Sequence, residues 1–119
     1  MDYRTLGNSG AVVSRYALGT MTFGAEATEE TSHTIMDDYF AAGGNFIDTA
    51  DVYSSGVSEE IIGRWLAKRP DMRDKAVIAT KGRFPMGTAP NDVGTSRRHL
   101  IRALDDSLRR LGVEQVDLY

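Results

Sequence analysis

The sequence of 119 residues contains no cysteine, which excludes a disulfide scaffold, a zinc knuckle, an iron–sulfur site and thiol catalysis. It also contains no apolar run close to the roughly 20 residues that a membrane-spanning helix needs. The 14 lysines and arginines are outnumbered by 17 aspartates and glutamates, and the net charge of −3 gives no basic footprint for nucleic acid. We therefore expect neither a membrane nor a nucleic acid as partner.

The amino terminus, Met1-Asp2-Tyr3-Arg4, has neither the basic segment nor the apolar segment of a secretory signal. The charged fraction of 26% and the apolar fraction of 41% are typical of a soluble globular protein. The cytoplasm is therefore the expected compartment.

Strand-like runs alternate with amphipathic segments along the chain. Three apolar or β-branched runs, at 16–19, 45–48 and 76–81, are each followed after a loop by helical periodicity, and a fourth run occupies 113–119. Successive runs lie about 30 residues or slightly more apart, which is the length of one βαβ unit. This rhythm predicts an α/β fold with parallel strands joined by right-handed crossovers.

Candidate N-cap residues, each next to an apolar stripe, predict three helices. A short hairpin that turns at Asn8-Ser9-Gly10 is predicted before them. The helices are expected to begin at Thr28, at Ser58, and at Thr95 or Ser96, each next to an apolar stripe. The residues expected to be buried are Ile35, Met36, Tyr39 and Phe40 in the first helix, Ile61, Ile62, Trp65 and Leu66 in the second, and Leu100, Leu104, Leu108 and Leu111 in the third.

Two architectures fit this pattern, an open doubly wound sheet and a closed (β/α)₈ TIM barrel. The loop Gly19-Thr20-Met21-Thr22-Phe23-Gly24 is not a G-x-G-x-x-G turn running into a helix, so the doubly wound alternative is disfavoured. A complete barrel takes about 250 residues. We therefore expect residues 1–119 to form one domain segment, the N-terminal hairpin, about three βα units and the fourth strand of a barrel.

Polar residues follow two of the predicted strands where the strands end. Asp48 ends the second predicted strand, Lys81 ends the third, and Tyr53 lies in the loop five residues after Asp48. The carboxyl ends of parallel strands form the ligand site of such folds, and neighbouring strands are about 4.8 Å apart. Asp48 and Lys81 are therefore expected within salt-bridge reach, with Tyr53 above them.

Such a trio has a clear chemical interpretation. A phenol is a weak acid with a pKa of about 10, but an adjacent ammonium stabilises the phenolate, and a carboxylate keeps that ammonium charged and oriented. The phenol can then donate a proton to a carbonyl oxygen. Reduction also needs a hydride, which no side chain supplies and a nicotinamide does. The trio therefore predicts carbonyl reduction.

Four stretches together resemble the aldo-keto reductase family, especially bacterial members related to potassium-channel β-subunits. They are L-G-T-M-T-F-G at 18–24, N-F-I-D-T-A-D-V-Y-S-S-G-V-S-E-E at 45–60, V-I-A-T-K at 77–81 and S-R-R-H-L-I-R-A-L-D-D-S-L-R-R-L at 96–111. The resemblance implies a TIM barrel and NADPH-dependent interconversion of aldehydes or ketones with alcohols. It implies Tyr53 as the general acid, with Lys81 and Asp48 as its tuning partners. Contacts to the cofactor are implied for Gly19, Thr20, Met21 and Asp48.

The family's catalytic histidine follows a D-L-Y run, and this chain ends on Asp117-Leu118-Tyr119. The residues that clamp the NADPH phosphates in the family would also lie beyond residue 119. By this resemblance we expect the front half of an enzyme, inactive in isolation, whose exposed edges are covered by the missing barrel half or by a second copy. The expected substrate is a small carbonyl compound.

Two other functions stay open from the sequence. Lys81 at a strand end is also compatible with a Schiff-base lyase. A non-enzymatic subunit that senses the nicotinamide cofactor, or an inactive truncated product, is the other alternative.

Three further sets of polar residues are interpreted as structural. Asp51 is expected to cap a loop or helix, and His33 and His99 are expected on the surface or in helix packing. The arginines of the third helix are expected on a solvated face, namely Arg97, Arg98, Arg102, Arg109 and Arg110.

Overall fold

The computed structural model describes all of residues 1–119 and contains five strands and three helices. The strands are β1 (Tyr3–Thr5), β2 (Val12–Ser14), β3 (Leu18–Gly19), β4 (Phe46–Asp48) and β5 (Val77–Ala79). The helices are α1 (Glu29–Ala41), α2 (Val57–Lys68) and α3 (Arg97–Leu111), with short 3₁₀ turns at Tyr53–Gly56 and Pro70–Met72. No helix is both long and apolar enough to cross a bilayer.

The predicted hairpin is present as β1 and β2, which pair antiparallel and form a small sheet of their own. Asn45 joins it to the rest of the fold: its side chain accepts a hydrogen bond from the backbone N–H of Ser14 at 2.6 Å and donates to the carbonyl of Val12 at 3.0 Å. The hairpin therefore rests against the start of β4.

The other three strands form one parallel sheet in the order β3-β4-β5, which confirms the predicted α/β class. Gly19 lies opposite Asp48 in the register, and Asp48 lies opposite Ala79. The carboxyl ends of all three strands therefore meet at one edge of the sheet.

The fourth predicted strand, at 113–119, is reduced to a single parallel bridge between Ala79 and Leu118. The carbonyl of Ile78 accepts from the backbone N–H groups of both Asp117 and Leu118, so the ladder does not advance along the strand. The Asp117 carboxylate accepts a hydrogen bond from the backbone N–H of Ile78 at 2.8 Å. In a regular β-ladder this N–H would instead donate to a backbone carbonyl of the neighbouring strand. The three strands form an open sheet.

Helix starts agree with the predictions at two of three positions. Thr28 caps α1 by accepting from the backbone N–H of Thr31, and Ser96 caps α3 by accepting from that of His99. The prediction for Ser58 was wrong, because α2 begins at Val57 after Gly56, whose φ of 98° is left-handed. Ser58 is instead buried inside the helix, where its hydroxyl donates to the carbonyl of Thr20 at 2.9 Å.

The core lies between the parallel sheet and the helices, and the predicted stripe of α2 is buried in full. Trp65 is completely buried, and its indole N–H donates to the carboxylate of Asp37 at 2.9 Å. Ile35 is a correction, since it is 37% exposed while its neighbour Met36 is fully buried. In α3 only Leu111 of the four predicted leucines is fully buried. The remaining core residues are Phe23, Ile47, Ile61, Ile62, Leu66, Ala76 and Ile78.

Candidate active site

Lys81 is the centre of a polar cluster at the carboxyl edge of the parallel sheet. Its Nζ donates to Oδ1 of Asp48 at 2.8 Å, to the carbonyl oxygen of Thr49 at 2.9 Å and to the phenol oxygen of Tyr53 at 3.2 Å. The same Nζ lies 4.9 Å from the centroid of the Tyr53 ring. The structure therefore brings together the three residues that the sequence predicts to form a site.

Backbone pairing beyond the formal ends of the strands fixes this arrangement. Asp48 is the last residue of β4, and the pairing continues as Thr49 N–H donates to the Ala79 carbonyl at 2.9 Å and Asp51 N–H donates to the Lys81 carbonyl at 3.1 Å. Lys81 is thus held beside the loop that follows β4. Tyr53 opens the 3₁₀ turn that ends this loop.

The cluster is open to solvent, with the side chains of Lys81 and Asp48 exposed to 48% and 37%. Partial burial alone would lower the pKa of Lys81, but hydrogen bonds to Asp48 and Tyr53 outweigh it, and the pKa of the lysine is raised above its ordinary value. Lys81 is therefore an ammonium at neutral pH, and its three hydrogens each have an acceptor.

The predicted cofactor-side residues differ in accessibility. An added Cβ at Gly19, which lies opposite Asp48, would meet no atom within 4 Å, and Met21 is 66% exposed. Thr20 differs from these two residues in that it is completely buried. Its hydroxyl donates to the carbonyl of Asp48 at 3.1 Å, so its role in this structure is to join the ends of β3 and β4.

A sequence model described as the aldo/keto reductase family matches residues 15–119. The chain belongs to the aldo/keto reductase family.

Two relatives agree with the family assignment. The chain is 41% identical to a Bacillus subtilis (strain 168) protein named uncharacterized oxidoreductase YrpG, over 100% of this chain and 39% of that protein. It is 36% identical to a solved structure, described as the holo form of aldo-keto reductase AKR11C1 from Bacillus halodurans, with a TM-score of 0.83 over 100% of this chain and 39% of that one. The chain thus spans about two fifths of the length of these relatives.

Asp51, which the sequence predicts to cap a loop or helix, is buried, with 1% of its surface exposed. Its Oδ2 is a buried atom with no hydrogen-bond partner. Burial, followed by the nearby carboxylate of Glu59, raises the pKa of the Asp51 carboxyl above its ordinary value. Asp51 lies beside the cluster around Lys81 and makes no hydrogen bond to its side chains.

The interpretation of the arginines of α3 was wrong for Arg110. Its Nε donates to Oε2 of Glu59 at 2.6 Å, and Glu59 is completely buried and also accepts from the hydroxyl of Thr80 at 2.6 Å. The neighbouring Arg109 is on the solvated face as predicted, with 72% of its side chain exposed. This ion pair between Arg110 and buried Glu59 joins α2 to α3.

Both histidines are buried in helix packing. His33 contacts the carbonyl of Ile61 at 3.0 Å, and His99 contacts the carbonyl of Gly82 at 2.7 Å. Neither belongs to the cluster around Lys81.

Sequence reasoning missed two groups at the site. The carbonyl of Thr49 accepts from Lys81, and no sequence signal marks a backbone carbonyl that turns toward a side chain. The hydroxyl of Ser54 donates to the carbonyl of Phe23 at 2.8 Å, and the only available signal was the pair of serines directly after Tyr53.

Proposed function

We propose that this aldo/keto reductase is an NADPH-dependent oxidoreductase that reduces aldehydes or ketones to alcohols, with Tyr53 as the general acid. The observation that carries the proposal is the set of three hydrogen bonds from Lys81 to Asp48, Thr49 and Tyr53. Family membership supports the oxidoreductase class, and the choice of NADPH rests on the family resemblance. The full-length relatives are longer than this chain, so the activity is proposed for the full-length protein.

In the proposed reaction the phenol O–H of Tyr53 gives its proton to the oxygen of the carbonyl substrate, which leaves a phenolate. The ammonium of Lys81, 3.2 Å away, stabilises that phenolate. The carboxylate of Asp48 and the carbonyl of Thr49 orient the ammonium, because each accepts one of its hydrogens. A reduced nicotinamide, when bound, supplies the hydride that the carbonyl carbon takes up.

The accessible edge of the sheet fits such a cofactor. Gly19 presents backbone without a side chain and has open space where a Cβ would be, which permits close approach of a flat ring. Met21, two residues after Gly19, is exposed, and the side chain of Asp48, opposite Gly19, is 37% exposed. We propose that these three residues contact the cofactor together with Thr20, whose buried hydroxyl also donates to the carbonyl of Asp48.

The hydrogen bonds of Lys81 disfavour the Schiff-base alternative. A lysine nucleophile needs a neutral amine with a free lone pair, whereas Lys81 has a raised pKa and donates all three of its hydrogens. Borohydride trapping with a panel of aldehydes and ketones should therefore leave the mass of the peptide containing Lys81 unchanged. A substrate adduct on Lys81 would favour a lyase.

The deciding experiment measures consumption of NADPH, and separately of NADH, by the full-length protein with a panel of aldehydes and ketones. We expect NADPH to be oxidised in proportion to the alcohol formed. Saturable binding of either cofactor with no turnover on any carbonyl would instead support the cofactor-sensing alternative. Faster turnover with NADH would overturn the cofactor assignment alone.

We also propose that a partner covers the unpaired edges of the parallel sheet. The parallel sheet is open, and β3 and β5 each pair with a strand on one side only, apart from the single bridge to Leu118. Unpaired strand edges associate readily. We propose that the missing barrel half or a second copy covers them, and a 119-residue chain that is monomeric by light scattering and unfolds cooperatively would contradict this.

A further inference from the structure

The two residues after Tyr53 have an unusual backbone. Ser54 has φ 50° and ψ 37°, and Ser55 has φ 53° and ψ 40°. They are the only residues other than glycine with positive φ in the chain. Left-handed conformations bring the Cβ of an L-residue too close to the following carbonyl, so two in succession need support from surrounding contacts.

The hydroxyl of Ser54 provides such a contact. It donates to the carbonyl oxygen of Phe23 at 2.8 Å, across 31 residues of sequence. Phe23 is itself fixed, because its side chain is 99% buried and its backbone N–H donates to the carbonyl of Thr20 at 3.0 Å. The side chain of Ser55 is exposed and makes no hydrogen bond.

We infer that Ser54 is a positioning residue for Tyr53, acting by tying the turn that begins at Tyr53 to the loop that follows β3. The hydrogen bond between Tyr53 and Lys81 is 3.2 Å long, at the weak end of the range for such contacts, so a small shift of the turn breaks it. The loop that Ser54 grips continues from Gly19 and Met21, which face the proposed cofactor. Ser54 thereby keeps the phenol of Tyr53 at a fixed position relative to Gly19 and Met21, the residues proposed to contact the cofactor. This inference rests on the proposed function.

Three variants of the full-length protein separate the hydrogen bond from the backbone strain. Ser54→Ala removes the hydroxyl and keeps the strain, whereas Ser54→Gly removes both, since glycine adopts positive φ without cost. Ser55→Ala is the matched control, because it removes a hydroxyl from the adjacent left-handed residue without removing a contact. Each variant is measured for kcat, for KM of the carbonyl, for thermal unfolding, and for the nuclear Overhauser contact between the Tyr53 ring and the Lys81 ε-methylene.

Ser54→Ala should lower kcat about tenfold with less than about a twofold change in KM, and should weaken the contact between Tyr53 and Lys81. Ser54→Gly should show the same loss of kcat while unfolding at a temperature no lower than Ser54→Ala. Ser55→Ala should match the wild type in kcat and in the Overhauser contact.

Equal kcat and equal Overhauser contacts in Ser54→Ala and Ser55→Ala would overturn the inference. Wild-type kcat in Ser54→Gly would also overturn it, because strain rather than the hydrogen bond would then set the position of Tyr53. The Overhauser measurement needs no turnover. A wild type that reduces no carbonyl, but loses the contact on Ser54→Ala, would refute the proposed function and leave the positioning role of Ser54 standing.

Discussion

Asp48 ends β4 and Lys81 lies two residues after the neighbouring strand β5, and their charged groups lie 2.8 Å apart although both side chains are more than a third exposed. An ion pair this open to water contributes only about 0 to 1 kcal/mol to the free energy of unfolding. Its role is therefore one of orientation, in that it fixes the ammonium that also donates to Tyr53.

Replacing Lys81 with methionine should affect activity far more than stability. Lys81→Met keeps the length of the side chain but removes the donor to Asp48, Thr49 and Tyr53, so kcat should fall by about 100-fold or more. The free energy of unfolding should change by no more than about 1 kcal/mol. Lys75→Met is the control, since Lys75 is exposed and pairs only with Asp71; kcat that falls equally in both variants would contradict the assignment.

Replacing Gly19 with alanine should test the approach of the cofactor to the sheet edge. The added Cβ meets no atom within 4 Å, so the unfolding midpoint should stay at the wild-type value. A methyl group in a filled binding site costs about 1 kcal/mol or more, which predicts at least about a fivefold increase in the Kd for NADPH. Unchanged cofactor affinity, measured by fluorescence titration, would place the cofactor elsewhere.

Replacing Asp51 with asparagine should stabilise the protein at neutral pH. The pKa of Asp51 is raised in the folded state, chiefly by burial, so folding favours its protonated form. The stability cost of the charge is absent below the unfolded-state pKa of about 4 and develops as the pH rises through the raised folded-state pKa. The gain of Asp51→Asn in chemical denaturation should therefore grow over that window and then stay constant.

Exposed Asp105 provides the control for this experiment, and Asp105→Asn should change the unfolding free energy by less than about 0.5 kcal/mol at every pH. A gain from Asp51→Asn that shrinks as the pH rises would contradict the predicted direction.

Adjacent arginines in α3 should differ sharply when each is replaced with methionine. Arg110→Met leaves the completely buried carboxylate of Glu59 without its cation, which should cost about 3 to 5 kcal/mol of unfolding free energy. Arg109→Met removes only an exposed pair with Asp106 and should cost less than about 1 kcal/mol. Similar losses of unfolding free energy in Arg110→Met and Arg109→Met would contradict the greater stabilisation expected from the pair of Arg110 with buried Glu59.

The site could be predicted from sequence because it depends on one topological fact. The carboxyl ends of adjacent parallel strands share an edge, so residues that end two strands of successive βα units come together whatever the details of the loops. Asp48 ends β4, and Lys81 follows β5 by two residues and is still paired with the loop after β4. Tyr53 follows Asp48 too closely to lie far away. The α/β class and the stripe of α2 followed from periodicity in the same way.

The failures share a different cause. Ser58 has the residue type of a helix cap, and Arg110 has the spacing of a solvated face, yet each bonds to a buried partner far away in sequence, Thr20 and Glu59 respectively. Local propensity carries no information about such partners. In the fourth predicted strand the side chain of Asp117 likewise occupies a backbone donor of β5, the N–H of Ile78, a contact that local propensity does not reveal.

Substitution of Tyr53 with phenylalanine tests the central claim most directly, because it removes one oxygen from the proposed proton donor. The full-length Tyr53→Phe protein should bind NADPH and unfold like the wild type, while its kcat for carbonyl reduction falls by about 100-fold or more. Tyr16→Phe, at an exposed tyrosine whose phenol oxygen makes no hydrogen bond, should keep wild-type kcat. A Tyr53→Phe protein that retains more than about half of the wild-type kcat would contradict the account.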